Sequence, residues 1–375
     1  MTSEMKCSVL VFLLLPFLAF AGKDGEHTST PLSTSAEKKI TREFNIQVNG
    51  HLNIENKYGD IDVAIGEENK IKFDITIKAS AGSQKKAQEL VDNISVDFNE
   101  GINRVDAKTV VESSSSWMSW FNTGSNEIEI NYQVLVPKDI YLELNNKYGS
   151  IYLESTDRDA TIDLAYGDLR LGDINANLDL DMSYSEGSLS QIKQGDLHLS
   201  YSDLEMENSQ SMTVDMKYSE LAMGASGRLN LVSSYGNVKG GDVEDVSYSG
   251  KYDDLYFSSV KSITADCGYT GIELDGLAST GSFDMRYGDL TIKNIWQGFK
   301  QINISTSYTG VELGFQDGAN FSIDAATNYC DVNTNGNLKV SERIEREASL
   351  TLKASKGTGG GVVKAVMNYG ELSIE

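Results

Sequence analysis

The chain has 375 residues, with 55 Asp and Glu against 32 Lys and Arg, and a formal net charge of −23. This excess of negative charge argues against nucleic-acid binding, because contact with phosphates needs clustered cations. Hydrophobic residues make up 40% of the chain, enough for a sizeable core, whereas three His leave little material for imidazole catalysis or a His-rich metal site.

Residues 1–21 are predicted to be a secretory signal peptide. Lys6 supplies the positive charge, residues 9–20 form an apolar stretch too short for a spanning helix, and Ala-Phe-Ala at 19–21 is a cleavage site. An uncleaved membrane anchor is the alternative. Residues 22–36, rich in Gly, Ser, Thr and charge, are expected to form a disordered leader. The mature chain is therefore expected in the periplasm, at the cell surface or outside the cell, with no membrane span.

Residues 37–145 are predicted to hold a first repeat coil and a small α+β cap. Residues 83–93 have helical periodicity, with Ala87, Leu90 and Val91 on the apolar side. Three longer strands are expected at 70–77, 95–98 and 128–136. Because an open end of a repeat domain would aggregate, residues 59–145 are assigned to cover that end.

Residues 146–375 are dominated by a tyrosine repeat. Eleven copies follow one another at intervals of 17 to 21 residues, and outlying copies precede and follow them. The copies are Tyr58, Tyr148, Tyr166, Tyr184, Tyr201, Tyr218, Tyr235, Tyr252, Tyr269, Tyr287, Tyr308, Tyr329 and Tyr369. Such self-similarity is typical of repeat architectures, in which single units cannot bury their own apolar face.

Apolar and polar residues alternate on both sides of each tyrosine, as in Leu197, Leu199, Tyr201, Leu204 and Met206. This pattern indicates two short half-buried strands joined by a tight corner. Stacking such units in register predicts an all-β fold, a parallel β-solenoid with one coil of about 17–18 residues per repeat. An antiparallel meander, with the corner as a hairpin turn, is the alternative. By the same alternation, the tyrosine rings are expected to point inward with the apolar residues and to have a structural role.

The corner motifs resemble a known family. Asn-Lys-Tyr-Gly-Asp-Ile at 56–61, Asn-Lys-Tyr-Gly-Ser-Ile at 146–151 and the strand 128–137 are similar to the putative-adhesin β-helix domains of bacterial envelopes, over roughly residues 40–375. The resemblance implies a β-solenoid of unknown function in the cell envelope and carries over no catalytic residue. The chain departs from it where Ser185, Ser202 and Ser219 replace the corner glycine, which predicts a corner tolerant of non-glycine residues.

Acidic residues recur two positions after the tyrosine, and Asp168, Asp203 and Asp289 are examples. They could ligate divalent cations between coils, but short acids also favour turns, and the glycine-rich repeat of dedicated calcium solenoids is missing. The second interpretation is favoured, so no metal or other cofactor is predicted.

The sharpest binding candidate is a Ser-rich segment of the cap that contains Trp117, Trp120 and Phe121. An exposed aromatic cluster is typical of a binding patch, for a glycan or for an envelope protein. In the alternative interpretation, these side chains fold back and close the end of the solenoid.

The sequence contains no recognisable set of catalytic residues. Cys267 and Cys330 fit core or corner positions, and His198, between two inward leucines, is expected to point outward. The pattern therefore predicts an exported, non-enzymatic envelope protein with an adhesin-like binding or scaffold role. Two alternatives stay open: a polysaccharide-acting β-helix enzyme, and a sensory or regulatory envelope module.

Overall fold

The structure is a computed structural model that describes residues 34–112, 127–334 and 338–375. These residues form one sheet of twenty-two strands and a single nine-residue helix. Consecutive repeats pair in parallel, so the predicted parallel β-solenoid is confirmed and the antiparallel meander is wrong. None of the described helices is long and apolar enough to cross a membrane.

The early coils are built from short strands on the two sides of each tyrosine corner. Their bounds are β2 (His51–Lys57), β3 (Ile61–Ile65), β8 (Tyr141–Lys147), β9 (Ile151–Thr156) and β10 (Ala160–Ala165). In the middle of the rod, each strand runs from one corner to the next: β11 (Asp168–Ser183), β12 (Glu186–Ser200), β13 (Asp203–Lys217), β14 (Glu220–Ser234) and β15 (Asn237–Lys251). Longer strands follow: β16 (Asp254–Leu274), β17 (Leu277–Ile295), β18 (Gln301–Phe315) and β19 (Phe321–Thr334).

The register explains the spacing of the repeat. Leu180 pairs with Leu197, which pairs with Val214, so equivalent residues of successive coils lie side by side 17 residues apart. These inward side chains are at most 1% exposed and form one continuous core along the rod. Because burying each such side chain contributes about 1.5–3 kcal/mol, the coils hold one another in register.

The N-terminal end is covered by the predicted α+β cap. Its elements are β1 (Thr34–Asn45), β4 (Lys70–Ala81), α1 (Gln84–Asp92), β5 (Ile94–Gly101), β6 (Arg104–Val111) and β7 (Glu127–Val136). Strands β6 and β7 lie parallel on β2 and β3, whereas β1, β4 and β5 pair antiparallel and α1 packs on β1 and β4. Strand β1 includes the last three residues assigned to the leader.

The C-terminal end has an order that the repeat did not predict. After β19, the chain forms an antiparallel hairpin of β20 (Lys339–Arg346) and β21 (Ser349–Lys356) against β19. The last strand, β22 (Gly361–Ile374), then lies between β18 and β19 and pairs in parallel with both. The final segment of the chain is therefore inserted between two coils that precede it in sequence.

Candidate binding surface: an exposed tyrosine ladder

The prediction that the corner tyrosines point inward is wrong. All thirteen have a left-handed backbone, with φ between 51° and 65°, and the rings from Tyr148 onward are 42–62% exposed. The left-handed residue interrupts the alternation of the strand, so the ring projects outward and the next residue takes the inward position. Ser185, Ser202 and Ser219 occupy that position and are at most 5% exposed.

The thirteen rings stack face to face into a ladder along the rod. Neighbouring ring centroids are 4.7–5.5 Å apart, and their planes differ by 2–18°. A left-handed corner costs a bulky residue about 1–2 kcal/mol, whereas each aromatic pair contributes about 0.5–1.5 kcal/mol. Thirteen rings share twelve stacks, about one for each ring, so stacking offsets much of the backbone strain.

Stacking also decides what the ladder presents to solvent. Ring faces are covered by neighbouring rings, so the exposed parts are ring edges and hydroxyl groups. No hydrogen bond joins the hydroxyls of Tyr148 and the later ladder tyrosines to another group in the described part of the chain. The ladder is therefore suited to an elongated ligand that can form hydrogen bonds with the tyrosine hydroxyls, as donor or acceptor, and unsuited to stacking of sugar rings along its length.

Hydroxyls inside the corners confirm that the corner accepts serine. The Ser202 hydroxyl donates to the carbonyl of Ser200 at 2.9 Å and accepts from the backbone N–H of Ser185 at 3.2 Å. The serine is tolerated because the left-handed φ belongs to the tyrosine before it.

Asp253 replaces the corner serine in one coil and holds a buried network. Its carboxylate accepts hydrogen bonds from the backbone N–H of Gly236 at 2.7 Å, the Ser233 hydroxyl at 2.9 Å and the Tyr248 hydroxyl at 2.6 Å. Burial and the Asp253 carboxylate raise the pKa of Tyr248, which keeps its phenol protonated. This polar cluster lies inside the core and is closed to a ligand.

A first column of carboxylates follows the ladder on the side after the corner. Asp168, Glu186, Asp203 and Glu220 are consecutive partners in the register, and all four are exposed. They line an open groove of about 610 Å³. Asp289 lies apart from them, between two glycines of the neighbouring coils, Gly271 and Gly310. No group of three His, Cys, Asp or Glu side chains suited to a metal ion occurs in residues 34–112, 127–334 and 338–375.

A second column lies on the other side, three residues before each tyrosine. Asp163 pairs with Asp181, which pairs with His198, and Asp215 follows in the next coil. Burial and the neighbouring Asp181 carboxylate hold the pKa of Asp163 above its usual range. The ladder therefore runs between two acidic columns. The sequence did not predict this arrangement, because the rings were expected inside the core.

The residue directly before each tyrosine lies beside its ring. The Lys147 ammonium is 5.1 Å from the ring centroid of Tyr148 and 5.7 Å from that of Tyr166, and the Lys217 ammonium is 5.5 Å from that of Tyr218. These distances fall within the range of cation–π interactions. Thus the chain itself places cations next to the ladder at two coils.

The remaining site candidates fall into separate places. Trp117, Trp120 and Phe121 lie outside the described residues, so their role stays a prediction. Cys267 is buried and free, and burial raises its pKa to about 12, which suits a core residue. Cys330 is free and half-buried.

Comparison with known proteins gives structural neighbours only. No protein-family model matches the chain, and no curated protein matches it. A putative cell adhesion protein from Clostridium sporogenes is 10% identical and has a TM-score of 0.18, over 90% of this chain and 99% of its own. Putative adhesins from Bacteroides fragilis and Parabacteroides distasonis are 10% and 7% identical, with TM-scores of 0.26 and 0.27, each over 90% of this chain and 97% of its own.

Proposed function

We propose that this protein is an exported, non-enzymatic binding protein of the cell envelope, with an adhesin-like or scaffold role. The observation that carries the proposal is the exposed tyrosine ladder, which repeats one chemical group at nearly constant spacing along the rod. A regular array offers many equivalent contacts to an elongated partner, and a rigid surface loses little entropy on binding. Export rests on the signal predicted at residues 1–21.

Two assays test the proposal: binding of the intact mature chain to a glycan array, and capture of components of a solubilised envelope fraction by the immobilised chain. We expect binding in at least one of the two assays. A Trp117→Ala/Trp120→Ala variant tests the cap segment, and a Tyr269→Ala/Tyr287→Ala variant tests the ladder away from the cap. Loss of binding in the Trp117→Ala/Trp120→Ala variant alone would assign binding to the cap segment. Absence of binding by the intact chain in both assays would contradict a binding role.

A polysaccharide-acting enzyme is the second candidate, because the 610 Å³ groove contains Asp203, Glu205 and Glu220. Glycosidases need two carboxyl groups that flank the scissile bond. Incubation with acidic and neutral glycans, with detection of new chain ends, tests this alternative. Activity that a Glu205→Gln variant loses would favour the enzyme and overturn the non-enzymatic proposal. A sensory or regulatory module would instead be identified by capture of one specific membrane protein.

A further inference from the structure

Strand β22 lies between two strands that match each other in register. Thr306 of β18 and Thr327 of β19 both pair with Met367 of β22, and equivalent residues of β18 and β19 are 21 positions apart along the whole of both pairings. Without β22, these two strands can therefore pair directly, in parallel and with no shift of register. The same face of each strand would stay in the core.

The turn between β18 and β19 has the length of a turn between adjacent strands. Residues 296–300 connect β17 to β18, its direct neighbour, whereas residues 316–320 connect β18 to β19 across β22. Each turn has five residues, and in each a backbone hydrogen bond runs from the N–H of the fourth residue to the carbonyl of the first. The chain therefore has enough length for direct pairing and needs no other turn structure.

Two buried hydroxyl groups lack partners while β22 is in place. Thr306 and Thr327 are 4% and 2% exposed, and within the described part of the chain neither hydroxyl forms a hydrogen bond. Met367 lies between them, and its thioether is only a weak acceptor. Where two hydroxyl residues are direct register partners, at Ser209 and Ser226, their oxygens are hydrogen-bonded at 2.8 Å. Direct pairing of β18 with β19 would bring the two threonines together in the same way and remove the cost of leaving them unsatisfied.

Release of β22 has a cost and a return. The strand loses its place in the core, where Val363 and Leu372 are 1% exposed, and one of its two ladders of backbone hydrogen bonds is not replaced. In return, β18 and β19 form one parallel ladder, and the 14 residues of β22 regain backbone freedom. The segment before β22 contains Gly357, Gly359 and Gly360, so its backbone can follow either path.

We propose that this end of the rod is a conformational switch with two states. In the inserted state, which the structure shows, β22 separates β18 from β19. In the closed state β22 is released, β18 pairs directly with β19, and Tyr308 stacks on Tyr329 in place of Tyr369. Closure shortens the rod and its tyrosine ladder by one coil but leaves both continuous, and it frees residues 361–374. The switch does not depend on the proposed binding role.

Hydrogen exchange of the intact chain tests the order of opening. Because β19 lies outside β22 in the stack, fraying from the end of the rod would expose β19 before β22 or together with it. The closed state instead exposes β22 and leaves β19 paired with β18 and β21. We expect residues 361–374 to exchange as one unit, at least about tenfold faster than residues 321–328. Equal exchange of the two segments would overturn the proposal.

Removal of the two hydroxyls tests their part in the switch. Thr306→Val/Thr327→Val takes away a hydrogen bond that only the closed state can form, so exchange of residues 361–374 should slow several-fold. Unchanged or faster exchange of these residues would contradict the pairing of the two threonines. Circular dichroism checks that the variant is folded.

Pulsed electron resonance measures closure itself. With spin labels replacing His198 and Ala326 in a Cys267→Ala/Cys330→Ser background, a chain that ends at residue 356 should give about 34 Å, one coil less than the about 38 Å of the intact chain. Met367→Asp places a charge in the core and should shorten the distance in the same way, whereas Val366→Asp, at a position 56% exposed, should keep the longer one. A distance that stays near the longer value after truncation, or the loss of any defined distance, would overturn the proposal.

Discussion

A left-handed tyrosine is an unusual choice for a turn, and the chain uses it thirteen times. At three ordinary turns the left-handed residue is an asparagine, Asn49, Asn69 or Asn103, which tolerates this conformation better. The corner tyrosine therefore must contribute more than the turn itself. Stacking with its two neighbours is that contribution, and it links the conformation of one residue to the register of the adjacent coils.

Substitutions of Tyr235 separate stacking from backbone strain. Tyr235→Ala removes two stacks, at 4.8 Å on each side, and is expected to lower the unfolding free energy by about 1–3 kcal/mol. Tyr235→Gly loses the same stacks but relieves the left-handed strain, so it should be about 1 kcal/mol more stable than Tyr235→Ala. Urea unfolding followed by circular dichroism measures both. Equal stability of the two variants would show that the corner is not strained.

The buried Asp253 is expected to be sensitive to truncation. Asp253→Ala leaves the Tyr248 hydroxyl, the Ser233 hydroxyl and a backbone N–H without their acceptor, so stability should fall by about 3 kcal/mol or more. Asp253→Ser should lose less than half as much, because serine fills this corner position in three other coils. Thermal unfolding compares the variants, and a larger loss for Asp253→Ser than for Asp253→Ala would refute the network.

The raised pKa of Asp163 predicts a pH-dependent effect. A carboxyl whose pKa is higher in the folded than in the unfolded state destabilises the fold when ionised, and this penalty disappears as the pH falls below the unfolded value of about 3.9. Asp163→Asn should therefore raise the melting temperature at pH 7 and have no such effect at pH 3. Asp215→Asn, whose neighbours in the column are His198 and Val232, is the control. A gain for Asp163→Asn that is equal at both pH values would contradict this account.

At the scale of elements, the C-terminal strand depends most on tertiary context. The buried side chains of β22, among them Val363, Met367 and Leu372, are about 1% exposed between β18 and β19. The strand follows a glycine-rich segment in which Gly357, Gly359 and Gly360 have positive φ. This segment returns the chain from the hairpin to the gap between the two coils.

Removal of residues 357–375 is expected to lower the melting temperature strongly while leaving most of the β-structure in place, because only the last coils lose a partner. A synthetic peptide of residues 357–375, added in trans, should restore part of the loss. The control peptide carries Met367→Ser and Leu372→Ser, which remove its buried side chains. Restoration by both peptides alike, or an unchanged melting temperature after truncation, would show that β22 does not fill a specific gap.

Several elements could be predicted from the sequence because local signals specify them. Helix α1 has a capping serine, Ser83, whose side chain accepts from the N–H of Lys86, and the apolar residues Ala87, Leu90 and Val91 at helical spacing. Strand β7 ends before Pro137. The repeat interval predicted the coils because stacking in register demands a nearly constant number of residues per turn.

Two features could not be predicted, each for a physical reason. Alternation assigns the tyrosine to the core, and only the left-handed backbone shows that the following small residue takes its place. The stacking order Tyr308, Tyr369, Tyr329 could not be predicted from the sequence. Tyr329 and Tyr369 lie in the same alternating pattern, so either of them could stack on Tyr308. The exposed columns beside the ladder depend on both features, so the candidate site came from the structure.

At the scale of the whole molecule, the protein is a rod with one core, a cap at its N-terminal end and a hairpin at the other. The cap and the hairpin protect the terminal coils from pairing with other chains. The sides of the rod carry the tyrosine ladder and its acidic columns, so its length sets how many contacts a partner can make.

Distances between spin labels along one outward column test the coil order most directly. In a background with Cys267→Ala and Cys330→Ser, one label replaces His198 and the second replaces Ser305, Val366 or Ala326. At about 4.8 Å per coil, pulsed electron resonance should give about 29, 34 and 38 Å in that order. A label at position 366 farther from position 198 than one at 326, or distances that do not increase by one coil at a time, would contradict the stacked solenoid with its inserted last strand.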